Sequence, residues 1–417
     1  MNDILPPTTL IWQYVEKILR EVMLSYGFEE IRLPILEKTE LFKRTIGEVT
    51  DIVEKEMYTF NDRNDDSLSL RPEGTAGCVR AGIEHGLLYH QIQRLWYIGP
   101  YFRHERPQKG RYRQFYQCGA EVFGIETPDI DAELIALTAT IFKKLGLKDN
   151  ITLHINSIGS TASRQAYRQC LIEYFTQHHT SLDEDSQRRL HTNPLRILDS
   201  KNPAMQSLIQ DAPKLITYLD TDSQTHFELL QQYLNALNIN FICDSRLVRG
   251  LDYYTKTVFE WVTQDLGAQG TVCGGGRYDG LVEQLGGKPT PGLGFAIGLE
   301  RVVLLLEQAN FLGWQKEPHV YMIYDSEDSF KKCLVVSQKL RDDMHHLRVI
   351  LHCGGGALKN QFKKADKSGA YIALMLGEQE SRDHVIGIKF LRENRPQVLV
   401  KEDELIGFLH SIFPEIR

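Results

Sequence analysis

The N-terminal segment alternates apolar and polar positions with the period of an amphipathic helix. Its apolar residues recur three or four positions apart, at Ile11, Val15, Ile18, Leu19 and Val22. Gly27 follows as a helix stop, and the segment 30–35 beyond it has the composition of a strand. A helix leading into a strand is therefore predicted at the start of the chain.

Strand patterns then recur as far as residue 123. Short strands are predicted at 57–60 and 67–71, longer ones at 95–103 and 114–123, and a helix at 131–145. The two longer strands flank a single loop, as in a β-hairpin. We therefore expect a largely antiparallel sheet and not a doubly wound nucleotide-binding fold.

The middle of the chain changes character. From about residue 160 to 240 the strand patterns vanish and helix-compatible segments such as 204–218 and 224–237 replace them, which predicts a helical insertion. Strand patterns return at 241–244, 257–263, 271–273 and 292–297, and an apolar helix follows at 299–307. The first sheet is therefore expected to continue after the insertion.

The pattern breaks again just before Pro318. Beyond it strands at 319–324, 349–353 and 371–376 alternate with helices, which is typical of an α/β domain. The predicted fold class is α+β, with an antiparallel sheet flanked by helices. We expect a first domain over 1–315, which contains the helical insertion, and a C-terminal α/β domain over 319–417.

Composition excludes several classes of protein. The sequence is 42% hydrophobic and 25% charged, has no apolar run of about 20 residues and shows no secretory leader, so we expect a cytoplasmic protein that does not enter the membrane. The seven cysteines are never spaced as Cys-x-x-Cys, and the histidine pairs lack partner ligands at helical spacing. Neither a disulfide framework nor a metal bound by protein ligands is expected.

The net charge of −7 by itself argues against a nucleic-acid partner. The segment 103–113, however, contains five basic residues and a single acidic one, Glu105. Such a local patch can meet phosphates despite the overall sign.

The first candidate for chemistry is the segment Tyr101-Phe102-Arg103-His104-Glu105-Arg106-Pro107. An arginine that ends a strand beside a basic loop suits an anionic ligand. In the returning strand side chains alternate, so Gln117, Gly119 and Glu121 share one face, with the two polar residues about 13 Å apart. They form either a ligand site, in which Gly119 leaves room for the ligand, or a solvated face with a bulge glycine.

Two further segments place charged and hydroxyl side chains at the ends of strands. Arg71-Pro72-Glu73-Gly74-Thr75 precedes a predicted helix at 75–87, where Thr75 either caps the helix or, with Glu73, holds an α-ammonium group. Leu247-Val248-Arg249-Gly250-Leu251-Asp252-Tyr253-Tyr254 gathers an arginine, an aspartate and two tyrosines around a glycine. Arginine stays charged and grips phosphate or carboxylate with two parallel bonds.

Two glycine-rich segments follow. Residues 274–280, GGGRYDG, lack the spacing of a P-loop or of a dinucleotide fingerprint. Residues 292–301, GLGFAIGLER, alternate glycines along a strand and end with Arg301 at the start of a helix. This strand either lets a flat ligand lie on the sheet or packs tightly against a neighbour.

Together these segments resemble the class II aminoacyl-tRNA synthetases, and among them the bacterial histidyl-tRNA synthetase family, along essentially the whole chain. Segments 30–37, 101–121 and 294–301 are similar to motifs 1, 2 and 3 of that class. LVRGLDYYTKTVFEW at 247–261 and GGGRYDGLVEQLGG at 274–287 are similar to the signatures of the histidyl family.

The resemblance implies a homodimer that activates L-histidine with ATP, carried as its Mg²⁺ complex, and transfers the histidine to the 3′ end of tRNA(His). Motif 1 implies the dimer interface, and the C-terminal domain resembles the family's anticodon-binding module. Because phosphoryl-group activation depends on positioning and charge neutralisation, an arginine-rich site without a nucleophilic side chain suits it.

Residue roles follow from the same resemblance. Arg103 and Arg249 are the expected catalytic residues, and both are expected to contact histidine. The remaining histidine contacts are assigned to Glu73, Thr75 and Gln117 around the α-amino group and to Glu121, Tyr253 and Tyr254 around the imidazole. The ATP contacts are assigned to Arg103, Arg111, Arg113 and Arg301. Arg106 and Gln108 are the candidates for the tRNA acceptor end.

Two alternatives remain open at this point. One is a non-catalytic paralogue that binds histidine, the regulatory subunit of an ATP phosphoribosyltransferase, although such chains lack the C-terminal domain and degrade the 247–254 segment. The other is a tRNA-sensing, synthetase-like regulator of the kind attached to protein kinases, although the chain has no kinase motif.

Overall fold

The computed structural model describes residues 1–46, 52–198, 200, 202–247, 253–267, 270–311 and 317–416. Its contacts divide the chain into two units, Met1–Gly313 and Trp314–Arg417, the first ending two residues before the predicted limit at 315. Arg249 and its neighbours 248–252 lie outside the described residues. In the described part of the chain, no helix is long and apolar enough to cross a membrane.

The first unit combines helices with a large sheet. Its helices are α1 Thr8–Ser25, α2 Thr39–Ile46, α3 Thr75–Glu84, α4 Pro128–Lys144, α5 Thr161–Gln177, α6 Glu184–Thr192, α7 Gln206–Gln210, α8 Thr221–Ala236, α9 Leu281–Gln284 and α10 Leu299–Gln308. Its strands are β1 Glu29–Glu30, β2 Leu36–Lys38, β3 Tyr58–Asn61, β4 Ser67–Leu70, β5 Gln93–Phe102, β6 Gln114–Phe123, β7 Thr152–Ser157, β8 Phe241–Cys243, β9 Thr255–Val262, β10 Thr271–Arg277 and β11 Gly292–Gly298.

The main sheet has the order β1-β5-β6-β11-β10-β9-β7-β8. All pairs within it are antiparallel except the two at its edges, β1 with β5 and β7 with β8. The largely antiparallel sheet predicted from the hairpin pattern is confirmed. The strands β2, β4 and β3, in that order, form a smaller antiparallel sheet.

One face of the main sheet is covered by helices. The even residues of β6, Cys118, Ala120 and Val122, are buried in a core that also contains apolar side chains of α1, α4 and α10. α1 buries the predicted apolar stripe, and Gly27 follows its end with φ +74°. The odd residues of β6 point to the opposite face of the sheet, where its polar side chains lie.

The helical insertion is confirmed, with α5 to α8 between β7 and β8. Its apolar side chains, among them Tyr167, Leu171 and Phe175, share a second core with Tyr97, Tyr254 and Tyr278. The insertion therefore packs against aromatic side chains on the polar face of the main sheet.

The second unit has its own sheet, ordered β13-β12-β14-β15-β16. Its strands are β12 Val320–Tyr324, β13 Val349–Leu351, β14 Ile372–Leu376, β15 Val385–Phe390 and β16 Val398–Lys401, and its helices are α11 Glu327–Asp343, α12 Leu358–Lys367, α13 Glu378–Arg382 and α14 Leu405–Ile412. The first three strands are parallel and joined through helices, as the α/β pattern predicts. The antiparallel additions β15 and β16 were not predicted.

Three local predictions were wrong or missing. The predicted strand 30–35 is limited to Glu29–Glu30 and one further hydrogen bond from Ile31, because the chain turns away before Pro34, which has no N–H to donate. The predicted helix 204–218 is broken into short turns around Pro213. β7 was missed altogether, although Leu153 and Ile155 alternate as a buried strand requires.

Candidate active site

The polar face of the main sheet has a floor of small residues. Across the β6–β11 pair Gln117, Gly119 and Glu121 lie opposite Gly298, Ala296 and Gly294. The next strand places Gly274 and Gly276 beside Ala296 and Gly294, and Gly274 in turn lies beside Glu260 of β9. Because paired residues share a face, glycine and alanine line the middle of the sheet while polar side chains stand on either side.

A buried carboxylate, Glu121, is the centre of the first polar cluster. Only 1% of its surface is exposed. Its Oε1 accepts hydrogen bonds from the hydroxyls of Thr75, at 2.8 Å, and Tyr97, at 2.6 Å. Its Oε2 accepts one from the hydroxyl of Tyr278 at 2.5 Å. A carboxylate at this depth, held by hydroxyls, is suited to receive a polar N–H donor from a ligand.

Burial raises the pKa of Glu121 to about 8, while the hydrogen bonds from Tyr278, Tyr97 and Thr75 oppose that rise. The neighbouring carboxylate of Glu73 raises it further. Strongly shifted carboxyl groups of this kind are concentrated at functional sites, although structural clusters produce them as well.

Glycines make room for this cluster. A Cβ at Gly294 would lie 1.6 Å from Oε2 of Glu121, so a side chain there and the observed Glu121 position exclude each other. A Cβ at Gly119 would lie 2.5 Å from the ring of Tyr97. The space at Gly119, predicted to be left for a ligand, is therefore occupied by a tyrosine of the protein.

Glu73 is buried at the start of α3, where its two carboxylate oxygens accept the main-chain N–H groups of Thr75 and Ala76, at 2.7 and 2.9 Å. Burial raises its pKa. Glu73 thus satisfies the first N–H groups of the helix. Capping was one of the two alternatives predicted for Thr75, and Glu73 takes that role instead. The hydroxyl of Thr75 points to Glu121 instead, so both residues belong to the polar cluster.

Tyr253 and Tyr254 are buried beside the same cluster. Their rings lie 4.7 Å apart, and Tyr253 meets the ring of Tyr278 edge-on at 5.7 Å. Burial, followed by the charges of nearby groups that include Glu73 and Glu121, raises the pKa of Tyr253. Tyr253 therefore stays protonated, and the two tyrosines form an aromatic wall next to Glu121.

The second polar region is a cleft of about 300 Å³ further along the same face. Its charged and polar lining includes Arg103, Arg111, Arg301, Glu105, Gln117 and Glu260. Arg103 donates to the carbonyl of Pro72 at 3.0 Å, and Arg301 to the carbonyls of Gly110 and Thr271. Main-chain carbonyls thus fix the direction of two of the guanidinium groups.

The cleft brings three guanidinium groups together with the carboxylates of Glu105, Glu260 and Glu300. Burial, and then the charges of Arg111 and Arg103, lower the pKa of Arg301, while the charges of Glu260 and Glu300 oppose that shift. Glu105 forms ion pairs with Arg111 and, at 3.9 Å, with Arg103. Glu105 therefore pairs with two of the three arginines, and the guanidinium groups are placed to bind an anionic ligand.

The loop between β5 and β6 leaves the cleft at its outer side. Gln108 and Arg111 close its turn with reciprocal main-chain hydrogen bonds of 3.0 and 2.9 Å. Arg106 and Gln108 are exposed at the tip, and Arg113 donates to the carbonyl of Glu105 at 3.3 Å. The structure thus separates the exposed tip of the loop from the partly buried arginines at its base.

Comparison with known proteins gives the same family across both units. The family model described as "Histidyl-tRNA synthetase" matches residues 1–302, and the one described as "Anticodon binding domain" matches residues 319–412. A "Histidine--tRNA ligase" of Hydrogenovibrio crunogenus is 57% identical over 415 residues, which cover 100% of this chain and 97% of that protein. This chain belongs to the histidyl-tRNA synthetase family.

Solved structures of the family extend over both units. Apo histidyl-tRNA synthetase of S. aureus is 35% identical, with a TM-score of 0.81 over 98% of this chain and 97% of that one. The enzyme of Nostoc sp. PCC 7120 is 22% identical, with a TM-score of 0.71 over 99% and 98%, and therefore supports the fold alone. A protein of Bacillus halodurans, described as a phosphoribosyltransferase regulatory subunit or histidyl-tRNA synthetase, is 22% identical with a TM-score of 0.64 over 90% and 97%. It likewise supports only the fold.

Several residues of this family member's site were not predicted individually. Tyr97, Tyr278, Glu105 and Glu260 belong to the two polar regions; the quoted motifs contain the last three without assigning them a role, and Tyr97 lies in none of them. Tyr97 had a signal in the hairpin, since pairing β5 with β6 places it directly opposite Gly119. In the described part of the chain, no group of three or more His, Cys, Asp or Glu side chains is placed to hold a metal ion.

Proposed function

We propose that this chain is a histidine–tRNA ligase, which activates L-histidine with ATP and transfers it to the 3′ end of tRNA(His). The observation that carries the proposal is the pairing, on one sheet face, of a buried carboxylate cluster with an arginine-lined cleft. Such a face suits a small cationic or polar amino acid at one end and an anionic nucleotide at the other. The small residues between them leave the sheet open to both substrates.

Histidine is proposed to occupy the pocket around Glu121. The carboxylate accepts an imidazole N–H, and Tyr253 and Tyr254 flank the ring. Glu73, Thr75 and Gln117 are assigned to the α-ammonium group. A pocket built around a buried acceptor rejects side chains that lack the matching donor, because the acceptor would then lose its water without gaining a partner.

ATP is proposed to lie in the cleft as its Mg²⁺ complex, with the metal bound as part of the substrate. Arg103, Arg111 and Arg301 contact the phosphates, and Arg113 supports the nucleotide end. A histidine carboxylate oxygen attacks the α-phosphorus, a new P–O bond forms, and the bond to diphosphate breaks. Arg249, assigned by family resemblance, and Arg103 stabilise the charge that grows on the non-bridging oxygens.

Transfer to tRNA uses the exposed parts of the molecule. Arg106 and Gln108, at the exposed tip of the β5–β6 loop, are proposed to contact the acceptor end. The C-terminal unit, with the predicted domain limits 319–417, is proposed to bind the anticodon. We place the reaction in the cytoplasm, where tRNA charging supplies translation.

The active form is proposed to be a homodimer. Its interface is assigned to the motif 1 region because Ile35 and Leu36 at β2, and Phe60 of β3, expose 42%, 39% and 47% of their surfaces. Large apolar side chains exposed on one small sheet are typical of an interface. Sedimentation of the full chain should give twice the monomer mass of 47.9 kDa.

The regulatory-paralogue alternative is not favoured, since the arginine cleft would have no purpose in a protein that only senses histidine. The experiment that tests the proposal is ATP–diphosphate exchange with the full chain and each of the twenty amino acids. Exchange that depends on histidine alone is the expected result. No exchange with histidine, in a folded protein, would refute the proposed function.

A further inference from the structure

The hydrogen bonds to Glu121 are unevenly divided between its two oxygens. A carboxylate offers about four acceptor positions, two on each oxygen. Among the described residues Oε1 receives both Thr75 and Tyr97, which fills it, whereas Oε2 receives Tyr278 alone. One acceptor position therefore remains, on Oε2 and beside Tyr278.

The side chain of Tyr97 is fixed in place by the backbone around it. A Cβ on Gly74 would lie 2.3 Å from its ring, and one on Gly119 would lie 2.5 Å away. The ring thus fills a slot between the start of α3 and strand β6, and only 3% of Tyr97 is exposed. A side chain held this closely has lost its rotational freedom before any ligand arrives, so its hydroxyl is a preorganised donor.

We propose that Tyr97 is a positioning residue for histidine selection: with Thr75 it saturates Oε1 of Glu121, so that the substrate meets one remaining acceptor, on Oε2. The inference rests on the proposed function and deepens it. A single acceptor position requires a single N–H donor, which an imidazole presents and an uncharged aromatic ring without nitrogen does not.

The same arrangement favours the ionised carboxylate. Each hydroxyl donor lowers the pKa of Glu121 against the larger effect of burial, and Tyr97 is one of the three. The other titratable groups that face it are the hydroxyls of Tyr278, Tyr253 and Tyr101, the thiol of Cys78 on α3 and the carboxylate of Glu73. Loss of the Tyr97 hydroxyl should thus raise the pKa of Glu121 and favour the protonated form, which is a poorer acceptor.

The test is Tyr97→Phe in the full chain, which keeps the ring in its slot and removes only the hydroxyl. The matched control is Tyr101→Phe. Tyr101 lies on the same strand with 0% exposure, and its hydroxyl has no hydrogen-bond partner among the described residues. We expect the histidine KM in ATP–diphosphate exchange to rise about tenfold in Tyr97→Phe, the effect of one pKa unit, while the ATP KM changes little. Tyr101→Phe should match the wild type.

The pH profile supplies a readout that a loss of packing alone would not produce. The fall in histidine KM with rising pH should move to higher pH in Tyr97→Phe, relative to wild type, and stay in place in Tyr101→Phe. Thr75→Val, which removes the other donor to Oε1, should move it in the same direction. This second variant keeps the test valid if Tyr97→Phe fails to fold, as judged by thermal melting.

The outcomes separate the inference from the function on which it rests. Wild-type protein without histidine-dependent exchange would refute the proposed function itself. Wild-type exchange together with an unchanged histidine KM and pH profile in the folded variants would overturn only the role of Tyr97. An equal effect of Tyr101→Phe would overturn it too, because strand packing would then explain the change.

Discussion

Replacing Glu121 with glutamine should leave the protein folded while weakening its binding of histidine. The amide oxygen of Glu121→Gln can still accept the hydroxyls of Thr75 and Tyr97, and the amide nitrogen can donate to Tyr278 once that hydroxyl turns. The side-chain volume, and hence the fit against Gly294, is kept. We therefore expect a folded variant whose side chain at this position can no longer ionise.

The magnitude follows from the raised pKa. Because the pKa of Glu121 is about 8 in the fold and 4.5 is its ordinary value, the folded state holds a proton that the unfolded state releases in this window. The free energy of unfolding of the wild type should therefore fall as pH rises from about 4.5 to 8, by roughly 5 kcal/mol as an upper figure at 1.36 kcal/mol per pKa unit. Glu121→Gln should lack this contribution and gain in relative stability toward pH 8.

Histidine binding, by contrast, should weaken in Glu121→Gln. Above about pH 8, where Glu121 is ionised, a hydrogen bond to this charged acceptor contributes roughly 1.5–3 kcal/mol, so its loss should raise the histidine KM by about ten- to a hundredfold. Urea unfolding at several pH values gives the stability, and ATP–diphosphate exchange gives the KM. A folded Glu121→Gln with the wild-type histidine KM would refute the assignment of Glu121 to the imidazole. An unchanged slope of stability against pH would show that this carboxyl is not the buried titrating group.

Three further predictions concern other parts of the chain. Asp131→Ala should lower the free energy of unfolding in urea by roughly 3–5 kcal/mol. The reason is that the fully buried Arg277 loses the carboxylate that accepts from its Nε and Nη2. A smaller loss would mean that water relaxes the site and solvates Arg277. Arg249→Ala should lower exchange by about 10²-fold with ATP still bound and melting unchanged, and lysine should rescue poorly; retention of more than about half of the rate would remove the catalytic role. Alanine at Arg106 or Gln108 should lower tRNA charging more than exchange, whereas equal losses would assign the loop to ATP.

The local pattern of the sequence was enough to place the sheet face. Alternation along 114–123 gave the strand with its observed limits, and it put Gln117, Gly119 and Glu121 on one side, as the register shows. The helix before Gly27 and the helical insertion followed from periodicity in the same way. These features depend on neighbours in the chain, and single-sequence patterns carry that information.

What the sequence could not supply were contacts between distant segments. The slot that holds Tyr97 is made by Gly74 and Gly119, which belong to different elements, so neither alternative offered for Gly119, ligand space or a bulge, included the Tyr97 ring. Likewise, the buried pair of Asp131 and Arg277 joins α4 to the end of β10 across 146 positions of the chain. Pairing of this kind depends on the tertiary fold.

The short edge elements were uncertain for a different reason. β1 has two residues and β8 has three, and each is defined by a parallel partner on one side only. Such strands bury little and carry little alternation, so their limits depend on the partner strand. The strand predicted at 30–35 shortened accordingly, and the four-residue edge strand β16 was overlooked.

The most direct test of the central claim is charging of an unfractionated tRNA mixture by the full chain, with ATP, Mg²⁺ and each labelled amino acid in turn. The structure and the family membership together predict that only histidine becomes attached and that the label is recovered on tRNA(His). Transfer of another amino acid, or histidine-dependent exchange without any charged tRNA, would contradict the account of this chain as a histidine–tRNA ligase.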